Sequence, residues 1–496
     1  MATPTHGPFA GAYFSSVSVA NLRCFAEEQT LTLHTPSGHP AHWTLLIGEN
    51  GTGKTTLLHA IAAVSLQPER LNPDRSSEGD FTPRGFLTRP AIHREHFPGD
   101  TDTFVSARLT FSPALRARPA RTVETSLVLR DPGLGLPDEV SSESYERIWP
   151  AFVAHCFGYG PQRRLATGAL SAEVSDPLAP LFNTEVPLIN AEEWYLQRDY
   201  ASANPRNSPH DRERAGRARD RVTALLKRVL PDVANLEPVT LDPVRGLTRL
   251  IAHTPYGHVP VSELGFGYQT TLAWVVDLAV RMMAAYPESE DPLAEPAVVL
   301  IDEIDLHLHP KWQRTLLAEL SARFPNVQFI ATAHSPLIVQ AAPDANIVVL
   351  RREGDHVVID PQPHSVRHWR VDQILTSDLF GLPSARDPSL DPLLARRDAI
   401  LAKPALTADD EAELVRLRAE IGELPGGETP WEMEAMEVIR RAAQSIKGDE
   451  QAAAGGVRDG GVMPYKATAV KTKKRPGPKE AKNSRAKKSP ESGRRG

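Results

Sequence analysis

Apolar positions recur along the chain in two rhythms, and the places where one gives way to the other outline the elements. Alternation over residues 16–25 and again over 31–33 predicts short strands, and the continuous apolar run 43–47 predicts another that ends in a glycine-rich turn. Thr56, Leu57, Leu58, Ala60 and Ile61 then open a helix-like run. Residues 66–102 are rich in Pro, Arg, Gly and Ser with little periodicity, which predicts a long surface insertion. Strands are expected over 103–111 and 122–129, and a buried one over 151–160 that leads into Pro161, Gln162, Arg163 and Arg164.

Between 191 and 230 the pattern turns helical, with Trp194, Leu196 and Tyr200 in one run and Val222, Leu225, Leu226 and Val229 in another. The sheet is expected to resume near Val239 and over 247–252, followed by a glycine turn that opens a helix within 261–283. Residues 297–301 and 327–331 are apolar throughout; strands of that kind separated by helices predict a parallel sheet covered on both faces. Past residue 370 the pattern is helical, with Leu414, Leu417 and Ile421 on one face and Met433, Met436 and Ile439 on another. No internal repeat and no sustained heptad is present. The longest greasy stretch, 270–286, is interrupted by Asp277 and Arg281 and falls short of a membrane span, and 1–19 lacks the basic and apolar blocks of a secretory signal. A soluble chain is expected.

Composition adds three limits. A length of 496 residues exceeds what one core normally supports, while 41% hydrophobic and 24% charged residues exclude collagen-like, wholly disordered and membrane-channel classes. Two cysteines, Cys24 and Cys156, cannot build a disulfide framework and stand in no metal-ligand spacing, so a reducing cytoplasm is the default. The net charge of −6 hides an asymmetry: residues 464–496 carry twelve basic side chains against two acidic ones, which leaves −16 for the rest. Such a tail has little to bury and is expected to be disordered. It is equally a candidate contact for DNA or RNA and a merely solubilising segment.

The chemistry starts at the turn. Gly48, Gly53, Lys54 and Thr55 satisfy G-x-x-x-x-G-K-[ST] after an apolar strand and before a helix, the context in which that motif binds phosphate. Glycines let successive N–H groups curl around phosphate oxygens at a helix N-terminus, Lys54 reaches the terminal phosphates, and the Thr55 hydroxyl is placed to ligate Mg²⁺. Asn50, Gly51 and Thr56 complete the loop. The run 297–301 ends in Asp302 and Glu303, two carboxylates at the C-terminal edge of a buried strand: Asp302 is the candidate Mg²⁺ ligand and Glu303 the group that polarises the attacking water. Asp305 opens the next loop, and His334 stands at the end of the following strand, where it can sense the terminal phosphate. Two histidine pairs, His307 with His309 and His93 with His96, lack the third ligand that zinc requires. There is no HEXXH, no catalytic Cys/His signature and no recognisable nuclease motif after His334.

Phosphate loop, strand-Asp-Glu, Asp305 loop and His334, in that order, resemble the ATP-binding-cassette ATPases of the RecF and SMC branch over roughly residues 16–348. Within that branch the chain reads like bacterial antiphage defence ATPases of the Septu PtuA and retron-associated type. The strings that carry this are Asn21-Leu22-Arg23-Cys24-Phe25, the phosphate loop, Tyr159-Gly160-Pro161-Gln162-Arg163-Arg164, Ala191-Glu192-Glu193-Trp194, the residues from Asp302 to Pro310, Ala333-His334-Ser335-Pro336, and Val371-Asp372-Gln373-Ile374-Leu375 on to Phe380-Gly381.

The resemblance implies an α/β fold: an ABC-type P-loop NTPase head with a mixed, largely parallel sheet over 1–370, a helical insertion at about 163–238, C-terminal helices over 371–446 and a disordered basic tail over 447–496. It also implies ATP and Mg²⁺ as ligands, and a homodimer or higher oligomer in which each nucleotide lies between one protomer's phosphate loop and the other's signature loop. The signature candidate is 262–269, with Ser262, Gly265 and Gly267 as contacts; Gly265 stands where a serine is expected, so either the γ-phosphate contact is weaker or Ser262 substitutes. Gln162 is the candidate metal-coordinating glutamine or else a surface turn residue, and Arg23 the basic residue that reaches nucleotide or else a surface ion-pair member. The function implied is an ATPase switch that controls a partner nuclease, of the HNH type, in antiphage defence; the alternative is a RecF-like repair or chromosome-maintenance ATPase that clamps DNA directly.

Overall fold

In the computed structural model the described residues are 10–65, 103–112, 114–115, 121–129, 139–142, 152–153, 155–165, 176–242, 244, 247–360, 366–382, 384–403 and 406–421. They divide between two compact units, Met1–Pro392 and Leu393–Gly496.

The first unit is organised around a sheet whose strands are apolar on both sides. It contains β3 (Trp43–Gly48), β8 (Cys156–Tyr159), β12 (Ala297–Ile301), β13 (Val327–Thr332), β14 (Asn346–Glu353) and β15 (His356–Ile359), in the order β15-β14-β3-β13-β12-β8. All neighbours are parallel except β15, which returns antiparallel to β14. Along β12, Ala297, Val299 and Ile301 enter one core while Val298 and Leu300 enter the other, and β3 divides Trp43, Leu45 and Ile47 from Leu46 in the same way. A strand buried on both faces has no polar side to alternate, so its sequence reads as a continuous apolar run.

On one face lie α3 (Ala191–Ala203), α4 (Pro209–Val229), α5 (Phe266–Ala285) and α6 (Pro310–Arg323). α4 starts where the Ser208 hydroxyl accepts from Asp211 N at 3.1 Å with Pro209 in the first turn, and it buries Val222, Leu225, Leu226 and Val229. On the other face lie α1 (Lys54–Ala63) and an antiparallel sheet in the order β2-β1-β4-β5-β6, formed by β1 (Ala10–Ala20), β2 (Gln29–Thr32), β4 (Thr103–Ser112), β5 (Arg121–Leu129) and β6 (Glu139–Ser142). Gln328 ties the two sheets: fully buried on β13, its amide donates to Phe14 O and accepts from Phe14 N, both at 2.8 Å, so both of its polar atoms are paired between the layers. The short helix α2 (Ala179–Phe182) covers the β8 side.

Two expectations are corrected. Residues 151–160 are not one strand: β7 (Phe152–Val153) pairs parallel with β1 of the otherwise antiparallel sheet, whereas β8 pairs with β12. Apolarity on both faces marks burial and carries no label for which sheet a segment joins. The segments around Val239 and over 247–252 do not rejoin the main sheet; β9 (Asn235–Asp242), β10 (Leu247–Thr254) and β11 (Gly257–Pro260) form a separate antiparallel sheet. Polar side chains stand on both faces of these strands, Glu237 and Arg249 on one and Thr240 and Thr248 on the other, which a strand covered on both sides would not accommodate.

α7 (Pro336–Ala341) is followed by α8 (Val371–Leu375), which packs against it within the first unit. Of α9 (Asp391–Leu401) and α10 (Ala408–Ile421), all but the first two residues of α9 belong to the second unit, and Leu417 is the buried member of the face expected from Leu414, Leu417 and Ile421. The 66–102 insertion with His93 and His96, the Met433 face and the basic tail lie outside the described residues. Among the described residues, no helix is long and apolar enough to cross a membrane.

Two histidines in the first unit are held neutral. Burial pushes His59, stacked on Phe182 at 4.4 Å, and His155, edge-on to Tyr286 at 4.9 Å, down to about 4 from an ordinary 6.5. Between those values the unfolded chain binds the protons that the fold excludes, so stability is full above about pH 6.5 and falls as pH drops toward 4. Each depression is worth up to about 3 kcal/mol. Denaturant titrations from pH 7 to 5 are expected to show a falling midpoint, with a shallower slope in His59→Gln; a pH-independent midpoint would contradict the buried neutral state.

Candidate nucleotide site

Parallel strands deliver their C-terminal ends to one edge, and the register sets who meets whom. Tyr159 and Ala331 flank Ile301, and Leu45 flanks Ala331, so the residues after β3, β8, β12 and β13 converge. Asp302 N donates to Tyr159 O at 2.8 Å, fixing the β12 exit against the β8 exit.

The phosphate loop follows β3. Gly53 caps α1 at φ 81°, a left-handed conformation, and a Cβ there would sit 2.5 Å from Cys24 Sγ and 2.8 Å from the Phe25 ring; both reasons call for glycine. Lys54 is 7% exposed, and its ammonium donates to Gly48 O and Glu49 O, each at 2.8 Å, so the side chain lies over the loop. Burial lowers its pKa, while Asp302, Glu303 and Asp305 pull the other way. Arg23, itself at φ 49°, reaches Thr56 Oγ1 at 3.5 Å, which brings it to the first turn of α1. Asn50 is exposed on the loop, and Gly51 is left-handed at φ 80°.

Across from the loop, the Thr55 hydroxyl donates to Asp302 Oδ2 at 2.8 Å and the Thr332 hydroxyl donates to Asp302 Oδ1 at 2.6 Å. Thr332 in turn accepts from Glu303 N at 2.7 Å. Glu303 is left-handed at φ 51°, unusual for a residue with a side chain, and its carbonyl accepts from Arg163 Nη2 at 2.6 Å and Leu306 N at 3.1 Å. Asp305 Oδ2 accepts from His334 N at 3.0 Å, joining the loops after β12 and β13; the His334 side chain is exposed. Gln162 is exposed beside buried Arg163. A hydroxyl and a carboxylate facing each other at an open strand edge are hard oxygen donors of the kind Mg²⁺ takes, so Thr55 and Asp302 fit that ion.

Ser262, Gly265 and Gly267 lie around the start of α5 and connect to a different loop. Gln269 Nε2 holds the turn by donating to Ser262 O at 2.9 Å and Leu264 O at 2.7 Å. Arg249 donates from Nη2 to Ser262 Oγ and from Nε to Glu192 at 3.0 Å. A Cβ on Gly267 would sit 2.3 Å from His307 O, whereas one on Gly265 would meet only Tyr268 Cδ2, at 3.9 Å. His307 packs edge-on to Phe266 at 4.7 Å, and His309 caps α6 by accepting from Lys311 N at 3.3 Å, so both members of that pair have structural roles. Gly267→Ala is expected to cost about 1–3 kcal/mol through that backbone clash, and Gly265→Ser to stay within about 0.5 kcal/mol. Thermal denaturation of both variants checks this; equal melting temperatures would show that the α5 turn yields.

Residues 44–340 match the family described as "AAA domain, putative AbiEii toxin, Type IV TA system". The chain belongs to this family. The chain is 26% identical over 391 residues to "Septu protein PtuA" of Bacillus mycoides (strain KBAB4), covering 78% of the present chain and 47% of that protein. It is 44% identical over 92 residues to "Retron Vc95 probable ATPase" of Vibrio cholerae serotype O1 biovar El Tor, 18% of either chain. The chain thus spans about half the length of the first relative and less of the second. A solved structure, "Crystal structure of the SmcHead bound to the C-winged helix domain of ScpA", aligns with a TM-score of 0.42 at 14% identity, over 72% of this chain and 98% of that one. Two residues of this edge, Thr332 and Arg163, are given no role by the sequence, where Arg163 stands only as a member of the string from Tyr159 to Arg164. Thr332 ends an apolar strand and Arg163 follows one, and only the strand register brings them to Asp302 and Glu303.

Proposed function

We propose that the protein is an ATP-binding and ATP-hydrolysing switch. The observation that carries this is the unbroken chain of hydrogen bonds from Thr55 through Asp302 and Thr332 to the Glu303 backbone, set opposite Lys54. Lys54 exchanges the carbonyls of Gly48 and Glu49 for phosphate oxygens, and the loop's N–H groups and the α1 N-terminus take the remaining negative charge. Glu303 accepts a proton from the attacking water, and His334 reports on the terminal phosphate. Thr55 and Asp302 would hold Mg²⁺, which would supply positive charge beside the phosphoryl oxygens.

The finer reading is that two copies close on ATP, with Ser262, Gly265 and Gly267 of one facing the phosphate loop of the other, with Gln162 and Arg23 as further contacts. Hydrolysis then releases the pair, and the cycle controls a partner nuclease of the HNH type in antiphage defence. The names of the similar proteins and the order of the motifs support this. Sedimentation of the full chain with a non-hydrolysable ATP analogue or with ADP tests the switch: a dimer, or a larger oligomer, is expected with the analogue alone. Mass spectrometry of the material co-purified with the ATP-bound form from its native host tests the rest. Recovery of a small nuclease supports control of a partner; recovery of repair factors or bare DNA favours a DNA clamp.

A further inference from the structure

Arg163 is only 4% exposed, yet it stands at the mouth of a sheet edge lined by three carboxylates. Its pKa is pushed down to about 10 by burial, against the pull of Asp302, Asp305 and Glu303. A buried guanidinium is costly unless its donors are used. One of them is: Nη2 donates to Glu303 O at 2.6 Å. Among the described residues, Nε has no hydrogen-bond partner, nor does Asp305 Oδ1. The charge is thus kept in a poorly solvated place where its one strong hydrogen bond goes to the backbone of the residue that faces the attacking water.

That backbone needs holding. A residue with a side chain at φ 51° sits in a region that costs on the order of 1–2 kcal/mol unless its surroundings enforce it. Thr332 Oγ1 pins the Glu303 N–H, and Arg163, with Leu306 N, pins the carbonyl. With both ends of the residue fixed, its Cα–Cβ direction is fixed too, and the set of positions its carboxylate can reach is narrowed to those that start from one direction. Without Arg163 the carbonyl keeps only the longer bond from Leu306 N at 3.1 Å, and the side chain would sample more positions away from the water while the phosphate loop stays as it is.

We propose that Arg163 is a positioning residue for ATP hydrolysis, a buried cation that sets the aim of Glu303 through its carbonyl. The inference rests on the reading of Glu303 as the group that activates water. The test compares Arg163→Met, Glu303→Gln and the double variant of the full chain, reading kcat and KM for ATP, affinity for the fluorescent analogue mant-ATP, and single-turnover rates. Arg163→Met is expected to lose on the order of 30- to 100-fold in kcat, with KM and mant-ATP affinity within about threefold. In the Glu303→Gln background the same change is expected to cost nothing further, because there is no base left to aim. Turnover of Arg163→Met near the parent rate, a loss carried by KM, or a full extra loss in the double variant would overturn the proposal. Should Arg163→Met fail to fold, Arg163→Lys, which keeps the charge but not the fork, is expected to lose about tenfold in kcat with the same split; parent-like kcat there would equally overturn it. Parent-like turnover of Glu303→Gln itself would instead bring down the assignment of the base, and this proposal with it.

Discussion

Glu303→Gln is expected to bind ATP within about threefold of the parent affinity and to hydrolyse it roughly 10²–10⁴-fold more slowly, the range that a positioned general base supplies. The structure explains why the two effects should separate. The contacts that hold residue 303 in its left-handed conformation are made by its backbone: Thr332 Oγ1 on the N–H, Arg163 and Leu306 N on the carbonyl. A glutamine of nearly the same shape inherits that placement and loses only the capacity to take a proton. On the proposed reading, nucleotide affinity comes from the other side of the edge, from Lys54, the loop amides and Thr55, none of which changes. If closure of two copies requires ATP and opening requires its hydrolysis, the variant should also accumulate as an ATP-dependent dimer. The checks are steady-state phosphate release, equilibrium binding of mant-ATP, and sedimentation with and without ATP. Phosphate release within tenfold of the parent rate would remove Glu303 from the role of base.

How far the sequence foretells this arrangement depends on what kind of constraint each residue expresses. Gly53, Lys54 and Thr55 are local: a left-handed glycine, a lysine and a hydroxyl at a fixed spacing after an apolar strand define the loop wherever it occurs, and the structure gathers them at the sheet edge with Asp302. Asp302 and Glu303 are nearly as local, being the first polar residues after a strand buried at every position. Thr332 and Arg163 are different. Their roles follow from a parallel register that sets β13 and β8 on either side of β12, a relation among segments more than a hundred residues apart for β8. A threonine at a strand end and one arginine of a pair look ordinary until that register is known.

The same distinction accounts for the two departures in the fold. Burial can be read from the apolar content of 156–160, but the change of layer between β7 and β8 cannot. In β9 and β10 polar residues occupy both faces, Glu237 and Arg249 on one and Thr240 on the other, which sets these strands apart from the continuous apolar runs of the central sheet; strand content alone does not make that distinction. Gly265 shows where a motif comparison and a structure answer different questions. A missing serine suggests a weakened contact, whereas the open space around Gly265 and the closed space around Gly267 show which of the two glycines the local fold itself demands.

Lys54→Ala is expected to abolish ATP binding at ordinary concentrations, a loss of at least 10²-fold, with the fold intact. The ammonium is nearly enclosed and is held by two carbonyls of its own loop at 2.8 Å. Burial opposes its charge, so in the free protein it is satisfied only by neutral acceptors and by the more distant field of Asp302, Glu303 and Asp305. A triphosphate offers it ionised acceptors instead, and hydrogen bonds of that charge-assisted kind contribute about 1.5–3 kcal/mol each. Losing two of them amounts to about 3–6 kcal/mol, or more than two decades in affinity. The remaining loop amides and the α1 N-terminus cannot offset the repulsion between phosphate and the three carboxylates across the edge. Folding should survive because alanine removes a buried charge together with its stem and leaves Gly48 and Glu49 carbonyls that water can reach through the opened space. Isothermal titration with ATP in the presence of Mg²⁺, paired with a melting curve of the variant, separates the two effects. Affinity within tenfold of the parent, in a variant that melts at the parent temperature, would mean that the 48–55 loop is not where the nucleotide's charge is met.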